Sequence, residues 1–147
     1  REIAAGSEVL VIFRAEDGYI SPNWYPSKHE THRQVPTWNY RVVHVHGTLQ
    51  VHDDPNFVRR VVGKLTKTHE ARTGAERPWR MSDSTAEFLD SMVANIVGIE
   101  VVIETLVGKF KLNQNKEVRD RNGVVEALAQ HGHYELSRAV GRTLDSE

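Results

Sequence analysis

Aromatic and amide side chains are concentrated in three short segments of the chain. The segments are Trp24-Tyr25, Trp38-Asn39-Tyr40 and Lys111-Leu-Asn-Gln-Asn115. Flat aromatic side chains can wall a planar heterocycle, and amides can form hydrogen bonds with the carbonyls and ring nitrogens of an isoalloxazine without changing its charge. A lysine with nearby hydroxyls can neutralise a terminal phosphate. These residue types favour a cofactor site, and the simpler alternative is that Trp38 and Tyr40 fill a barrel core.

Histidines offer a second candidate chemistry, because the chain has eight of them. His44 and His46 share one face of a predicted strand, which is a geometry that a metal site on a β-barrel could use. No glutamate follows where a third ligand would be needed, and the spacing of His29 and His32 is wrong for a helical zinc motif. We therefore expect no metal site and interpret these histidines as hydrogen-bonding residues at a barrel surface or subunit contact.

Other motifs of catalysis and nucleotide binding are missing from the sequence. The nucleophile elbow GxSxG does not occur, and neither does GxGxxG or the phosphate loop GxxxxGK. This excludes a Rossmann or P-loop nucleotide site, and we assign no catalytic residue from the sequence.

Two short C-terminal helices that meet near Gly132 could be compared with a helix-turn-helix. The buried position of the second helix would then fall on Arg138, so a packing tail is the better interpretation. Nineteen Lys and Arg balance twenty Asp and Glu, and a net charge of −1 lacks the basic excess of a dedicated DNA-binding protein.

Composition indicates one globular domain. The 147 residues are 39% hydrophobic and 27% charged, which excludes a disordered chain. The lack of cysteine excludes disulfides, Cys-ligated zinc and thiol nucleophiles, and it suits the cytoplasm. The longest apolar stretch, Ile96 to Ile103, is far shorter than the roughly 20 residues of a membrane span. The chain opens with Arg1 and without a signal-peptide pattern, which is typical of a fragment.

Alternating apolar and polar residues predict three strand regions. Glu8–Phe13 reads as a strand buried on both faces, with a turn at Glu16–Gly18 and a second hairpin strand at Tyr19–Ser21. Pro22 and Pro26 then predict a stiff loop that exposes Trp24 and Tyr25. Two further strands are expected, a long one over Thr37–His52 with a bend at Gly47, and one from Val97 with a polar end near Lys111.

Helices are predicted between and after these strands. Asp54 and Pro55 start a helix that ends near Glu70, and a capping box at Ser84–Glu87 starts another over Thr85–Ala94. Val124–Gln130 and Tyr134–Leu144 form the C-terminal pair. This order predicts a mainly β fold with peripheral helices (β+α), a single barrel domain over residues 1–147 whose C-terminal helical part is 114–147.

Several blocks of the sequence resemble the PaiB family of FMN-binding proteins, which are regarded as negative transcriptional regulators. The blocks occur in the family's order and cover nearly the whole chain. They are Tyr19-Ile-Ser-Pro-Asn-Trp-Tyr-Pro26, Val35-Pro-Thr-Trp-Asn-Tyr40, Val45-His-Gly47, Leu65-Thr66 with His69-Glu70, Pro78-Trp79, Ile96-Val-Gly98 and Lys111-Leu-Asn-Gln-Asn115.

The resemblance implies an FMN-binding split β-barrel related to pyridoxamine-phosphate oxidases and flavin reductases, a homodimer with FMN held between its two subunits. It implies flavin contacts at nine residues, namely Ser21, Trp24, Tyr25, Thr37, Trp38, Asn39, Lys111, Gln114 and Asn115. Family members have further N-terminal barrel strands, with a His-Val-Ala-like and an Asn-Pro block, and this chain begins after them. Transcriptional repression is the implied output, by DNA binding or through a partner. The alternatives are an FMN-dependent oxidoreductase and a haem-binding split barrel.

Overall fold

The computed structural model describes residues 4–145, so both ends of the predicted 1–147 domain lie outside the described residues. Across these described residues, three strands and five helices follow one another. In order they are β1 (Glu8–Ile20), α1 (Pro26–Thr31), β2 (Thr37–His52), α2 (Pro55–Glu70), α3 (Ala86–Val93), β3 (Gly98–Lys111), α4 (Val118–Gln130) and α5 (Tyr134–Gly141), with short 3₁₀ turns at Pro22–Trp24 and Met81–Asp83. In this described range, no helix is long and apolar enough to cross a membrane.

The three strands form one sheet in the order β1-β2-β3, so β2 is the central strand. β2 and β3 pair in an antiparallel manner, because residue numbers rise along one strand as those of the contacting residues fall along the other. Thr48 contacts Glu104 while His52 contacts Glu100. The fold therefore mixes helices with an antiparallel sheet.

The chain divides into two compact units, each containing part of every strand. The first unit comprises residues 4–9 and 47–104 of the described range. Asp54 caps α2 by accepting a hydrogen bond from the Asn56 backbone N–H at 2.9 Å, and Pro55 takes the first helical position. An ion pair between Arg59 and Asp90 joins α2 to α3.

The second unit comprises residues 10–46 and 105–145 of the described range. Its core is an apolar cluster in which α4 and α5 pack with the ends of β1 and β3. The cluster consists of Ile20, Tyr25, Leu112, Val124, Leu128, Leu136, Ala139 and Val140. Gly132, with φ at 82°, ends α4 and lets the His133 N–H bond to the Leu128 carbonyl, which turns the chain into α5.

A buried polar network fixes α1 against α4 within the second unit. The Asp120 carboxylate accepts from the Ser27 backbone N–H at 3.0 Å and from the Ser27 hydroxyl at 2.6 Å. Gln34 donates to that hydroxyl at 2.8 Å and accepts from Lys116 at 2.6 Å. Because Ser27 and Asp120 are both buried, these bonds satisfy polar groups that would otherwise be costly inside the protein.

The long strand at Thr37–His52, the helix at Pro55–Glu70 and the strand near Val97 are confirmed. The hairpin turn at Glu16–Gly18 is wrong, since β1 runs through it to Ile20. Gly18 is needed there for close packing instead, because a Cβ would lie 2.8 Å from the Leu136 side chain.

Three smaller predictions also need correction. The cap of α3 is Thr85, whose hydroxyl accepts from the Phe88 N–H, rather than Ser84. The first C-terminal helix starts at Val118, six positions before Val124, because its opening residues are polar and have no apolar period to reveal them. The second ends at Gly141 rather than Leu144.

Burial also differs from the prediction. Tyr25 is fully buried instead of exposed, because the short turn and α1 carry it into the core. Conversely, Ile12 and Phe13 of β1 are 52% and 59% exposed, so the strand is not buried on both faces. The apolar side chains of this run would be more stable if they were buried. The three described strands nevertheless leave Ile12 and Phe13 exposed.

Candidate functional site

An open groove lies on the sheet of the second unit and is lined mainly by side chains of β2. Its volume is about 350 Å³, within the range of about 300–1,000 Å³ usual for small-molecule sites. Trp38, Tyr40 and His44 line it, because residues two apart on a strand point to the same face. We call this the Trp38 groove.

Trp38 presents a large aromatic surface in this groove. Its side chain is 54% exposed although it is a tryptophan. Tyr19 of β1 holds it edge-to-face, with ring centroids 6.1 Å apart and planes at 76°. Trp38 therefore does not fill a barrel core, and its ring is available to a planar ligand.

Two arginines line the Trp38 groove, and each lies beside a carboxylate. Arg14 and Asp17 line it and approach each other to 3.5 Å. Arg41 lines it as well, and its Nε donates to the Glu16 carboxylate at 2.9 Å. That guanidinium holds the pKa of the Glu16 carboxyl below its usual value, mainly through the hydrogen bond.

Asn39 lies between the two aromatic residues in sequence but points away from solvent. It is fully buried, and neither its amide nitrogen nor its oxygen has a hydrogen-bond partner among the described residues. Buried amides normally have partners. The buried side-chain amide of Asn39 is thus an exception to this rule among the described residues.

Lys111 and Thr37, both predicted as flavin contacts, meet in the structure. The Lys111 ammonium donates to the Thr37 hydroxyl, and Lys111 is exposed. A cation and a hydroxyl therefore lie side by side where β2 begins and β3 ends, a combination that can bind a phosphate oxygen.

The remaining predicted contacts have local structural partners. Ser21 caps the first 3₁₀ turn, and Trp24 packs on His131 with ring centroids 5.4 Å apart. The Tyr25 hydroxyl accepts from the Asn113 amide at 3.1 Å, and burial raises the pKa of Tyr25 above its ordinary value. The structure places Tyr25 in the helical core with Trp24 packed against it, and none of these three residues lines the Trp38 groove.

The last two predicted contacts follow β3. Gln114 folds back on its own strand end, donating to the Phe110 carbonyl at 2.8 Å and accepting from the Leu112 N–H at 2.7 Å. Asn115 is exposed. The structure therefore brings Trp38 into the groove and Thr37 beside Lys111, while the other predicted residues lie elsewhere.

Sequence reasoning identified only part of the groove. Strand alternation places Tyr40 and His44 on the same face as Trp38, and Tyr40 belongs to the predicted aromatic segment, but neither residue was among the predicted flavin contacts. Arg14, Asp17 and Arg41 carry no motif, and only the pairing of β1 with β2 brings them to the groove.

The histidine pair has no further metal ligands around it. His44 and His46 lie edge-to-face, with ring centroids 6.5 Å apart. Between residues 4 and 145, no three His, Cys, Asp or Glu side chains form a group that could hold a metal ion.

Comparison with known proteins connects this chain to a family. Residues 1–105 match the family model described as "Putative FMN-binding domain". An uncharacterized protein of Aspergillus fumigatus is 34% identical over 93% of this chain and 58% of its own length. An uncharacterized protein of Emericella nidulans is 32% identical over 85% of this chain and 53% of its own length.

A bacterial relative carries a functional name. The Protease synthase and sporulation protein PAI 2 of Bacillus subtilis is 30% identical over 87% of this chain and 58% of its own length. The chain thus spans about half the length of the curated relatives it matches. The family match covers most of the chain, and the chain belongs to the PaiB family of FMN-binding-domain proteins.

Proposed function

We propose that this chain binds FMN in the Trp38 groove, as part of a split β-barrel homodimer of the PaiB type that acts as a negative transcriptional regulator. The carrying observation is the open aromatic groove, in a chain that belongs to a family named for FMN binding. The flavin would serve as a structural or sensing ligand.

The residues present fit the ring system of a flavin. Trp38 and Tyr40 offer flat aromatic surfaces, and stacking on such surfaces is favourable for a planar heterocycle. Asn39 adds a buried carboxamide whose polar atoms have no described partner, and a carboxamide can bond ring carbonyls and nitrogens.

A phosphate also finds suitable groups in the second unit. Lys111 with Thr37 forms one cation and hydroxyl pair, and Arg14 and Arg41 bring guanidiniums to the groove itself. Guanidinium forks match phosphate oxygens well. A terminal phosphate therefore has charge-assisted donors within the same unit as the aromatic residues.

The groove has aromatic residues on one side only, which supports a second copy of the chain as its other wall. Leu106 and Phe110 of β3 are 60% and 54% exposed in the same unit. Exposed apolar strand surface of this kind marks an interaction face or a barrel seam. A homodimer would cover these residues and enclose the flavin.

The regulatory part of the proposal relies on the PaiB family and on charge. A net charge of −1 gives little attraction to the DNA backbone. We infer that repression works through a protein partner. We place it in the cytoplasm, a reducing compartment where proteins rarely depend on disulfides, since this sequence contains no cysteine.

The first experiment is an absorption spectrum of the purified protein, with acid release and mass identification of the chromophore. We expect flavin bands and the mass of FMN, or uptake of added FMN at micromolar concentration. A colourless protein that ignores added FMN would reject the flavin proposal, and a Soret band would replace FMN by haem.

Two further measurements test the remaining parts separately. Sedimentation with and without FMN should show a dimer when flavin is bound, and a monomer at all concentrations would reject the interface. A gel-shift titration with promoter DNA at low salt should show no specific band. A specific shift would contradict action through a partner.

A further inference from the structure

Helix α2 of the first unit presents to solvent a face that combines cations with apolar side chains. Arg60, Lys64 and Lys67 are exposed and follow one another at spacings of four and three residues, which places them in one row along the helix. Val61 and Leu65 form a second row beside the first and are 42% and 54% exposed. We call these five residues the α2 face, with a cationic row and an apolar row.

A different side of α2 attaches the helix to the rest of the first unit. Arg59 forms an ion pair with Asp90 of α3. About three helical turns later, on the same side, the Glu70 carboxylate accepts a hydrogen bond from the Trp79 backbone N–H at 2.9 Å. The charged groups of this side therefore already have partners, and the α2 face is left for other contacts.

The cationic row has no counter-charge among residues 4–145. Neither the Lys64 nor the Lys67 ammonium belongs to a salt bridge in that range, and the Arg60 guanidinium lies 5.9 Å from the centroid of the Phe57 ring instead of beside a carboxylate. Like charges three or four residues apart on a helix repel each other. The free helix therefore carries a repulsion that an acidic partner would relieve.

The positive charge extends beyond α2 along the sequence. Residues 55–80 contain seven Lys and Arg but two acidic residues, while the rest of the chain contains twelve Lys and Arg and eighteen acidic residues. The net charge of −1 thus combines a basic segment with an acidic remainder. Electrostatic complementarity selects an acidic partner for the basic segment.

The apolar row distinguishes between acidic partners. A nucleic-acid backbone is bound mainly through its phosphates, so Val61 and Leu65 would contribute little to such an interface. An anionic membrane is entered by a broad apolar helix face, and the apolar row of α2 consists of these two side chains. A protein segment with carboxylates beside apolar residues complements both rows.

We propose that the α2 face docks an acidic amphipathic segment of a partner protein, with carboxylates against the cationic row and apolar side chains against the apolar row. The inference rests on the proposed function, in which repression works through a protein partner, and it adds the chemistry of that partner. The Trp38 groove and its flavin have no part in the contact.

The test measures the binding of two labelled peptides to the whole protein by fluorescence anisotropy. In the ordered peptide, glutamates and leucines recur at helical spacing and form adjacent rows. The scrambled peptide has the same composition without these rows. We expect micromolar affinity for the ordered peptide and at least about tenfold weaker binding of the scrambled one. Equal affinities would reduce the effect to net charge and overturn the proposal.

Single substitutions separate the two rows. Lys64→Glu should weaken binding of the ordered peptide by about tenfold, because an attractive contact becomes a repulsive one. Leu65→Gln should weaken it by a similar factor of about ten, because apolar burial is lost. Both positions are exposed and glutamine is a good helix former, so the melting temperatures should stay close to that of the wild type.

Lys109→Glu is the matched control for Lys64→Glu. It reverses the same charge at an exposed lysine of β3, outside the α2 face. Affinity for the ordered peptide should stay within about twofold of the wild type. Equal losses in Lys109→Glu and Lys64→Glu would contradict a site on α2.

A charge swap provides a gain of binding. The double variant Lys64→Glu, Lys67→Glu should bind a peptide with lysines in place of the glutamates about tenfold more tightly than the wild type does. A double variant with unchanged melting temperature and no such gain would overturn the proposal. If a variant fails to fold, the preference of the wild type for the ordered over the scrambled peptide decides the question.

Competition experiments test the other possible occupants. Phosphatidylserine vesicles or a DNA duplex that displaced the ordered peptide, and that bound Lys64→Glu more weakly than the wild type, would assign the α2 face to lipid or nucleic acid. Loss of the dimer in sedimentation of Lys64→Glu would assign it to a contact between copies of the chain. Each of these results would overturn the proposal.

FMN binding separates this proposal from the proposed function. Lys64→Glu should bind FMN as the wild type does. A protein that bound the ordered peptide but not FMN would reject the flavin proposal alone, and one that bound FMN but not the peptide would reject the docking surface alone. A specific shift of promoter DNA together with peptide binding would reject repression through a partner and leave the docking surface in place.

Discussion

The guanidinium of Arg41 donates through Nε to the carboxylate of Glu16 at 2.9 Å, joining β2 to β1 within the second unit. Both side chains are 26% exposed, so the pair is partly shielded from water. It thereby fixes Arg41, which lines the Trp38 groove and also a second cavity beside α4 and α5.

Replacing Glu16 by Gln should destabilise the protein in a pH-dependent manner. The folded pKa of Glu16 is lowered, so the pair stabilises the fold above the unfolded pKa and this stabilisation disappears as the pH falls through the folded pKa. We expect Glu16→Gln to reduce the free energy of unfolding by about 1 kcal/mol at pH 7. The difference from wild type should shrink below pH 4.5, the ordinary value for this carboxyl.

Urea unfolding at several pH values measures this effect. The exposed Glu126 of α4 provides the control, because Glu126→Gln should change stability by less than about 0.5 kcal/mol. A Glu16→Gln deficit that stayed constant down to pH 3 would show that packing, and not the charge of Glu16, is responsible.

Gly123 allows α4 to approach the loop that carries Trp24. A Cβ at position 123 would lie 2.2 Å from the Trp24 carbonyl oxygen, and this backbone atom cannot move aside easily. We expect Gly123→Ala to cost more than about 2 kcal/mol in unfolding free energy, since overpacking outweighs the gain in helix propensity.

Gly141 in α5 is the matched helical control for this prediction. A Cβ there would meet only the Val125 side chain at 3.9 Å, an ordinary contact. Gly141→Ala should be neutral or stabilising by up to about 1 kcal/mol. Thermal unfolding of both variants is sufficient, and equal melting temperatures would contradict the close approach.

The buried hydroxyl of Tyr25 accepts a hydrogen bond from the side-chain amide of Asn113. Tyr25→Phe leaves the Asn113 amide without the acceptor it has at 3.1 Å, so we expect a loss of about 1–3 kcal/mol in stability. Because burial raises the folded pKa of Tyr25, wild-type stability should also fall as the pH rises above its ordinary value of 10.0.

A spectrophotometric titration near 295 nm follows the phenols as they ionise. A component that titrates above 10.0, the ordinary pKa of a tyrosine, should be present in the wild type and absent from Tyr25→Phe. Its persistence in the variant would assign the buried phenol to another residue.

Trp38 should contribute to flavin affinity and little to stability. Because the side chain is 54% exposed, Trp38→Ala should leave the melting temperature nearly unchanged while weakening FMN binding by about tenfold or more, the value of one aromatic stack. Flavin fluorescence quenching measures the affinity. Trp79→Ala, at a 42% exposed tryptophan of the first unit, is the control and should bind FMN normally.

Asn39 gives the opposite test. Both its polar side-chain atoms are buried without a partner among residues 4–145, so Asn39→Leu should stabilise the flavin-free protein by about 1 kcal/mol. Thermal unfolding without and with FMN separates the effect of the substitution on the fold from its effect on flavin binding. A variant destabilised in the absence of FMN would show that Asn39 already has a partner in the folded chain.

Local sequence was sufficient for the elements whose signals lie within a few residues. Asp54 and Pro55 start α2 where a cap acceptor and a proline predict it, because helix initiation depends on neighbouring backbone groups. The period-two alternation of Thr37–His52 likewise predicts one long strand and places Trp38, Tyr40 and His44 on a shared face. The order of the short motifs determined the family by itself.

Tertiary structure decided what each side chain contacts. Tyr25 and Trp38 both belong to short segments rich in aromatic residues, but Tyr25 is buried and Trp38 is exposed. The difference arises because burial depends on which helix or strand covers a position. Arg41, Arg121 and Arg142 are far apart in sequence and carry no motif, yet they line one cavity. Such convergence depends on strand pairing and on the packing of α4 with α5, and these contacts link residues that local sequence patterns cannot relate.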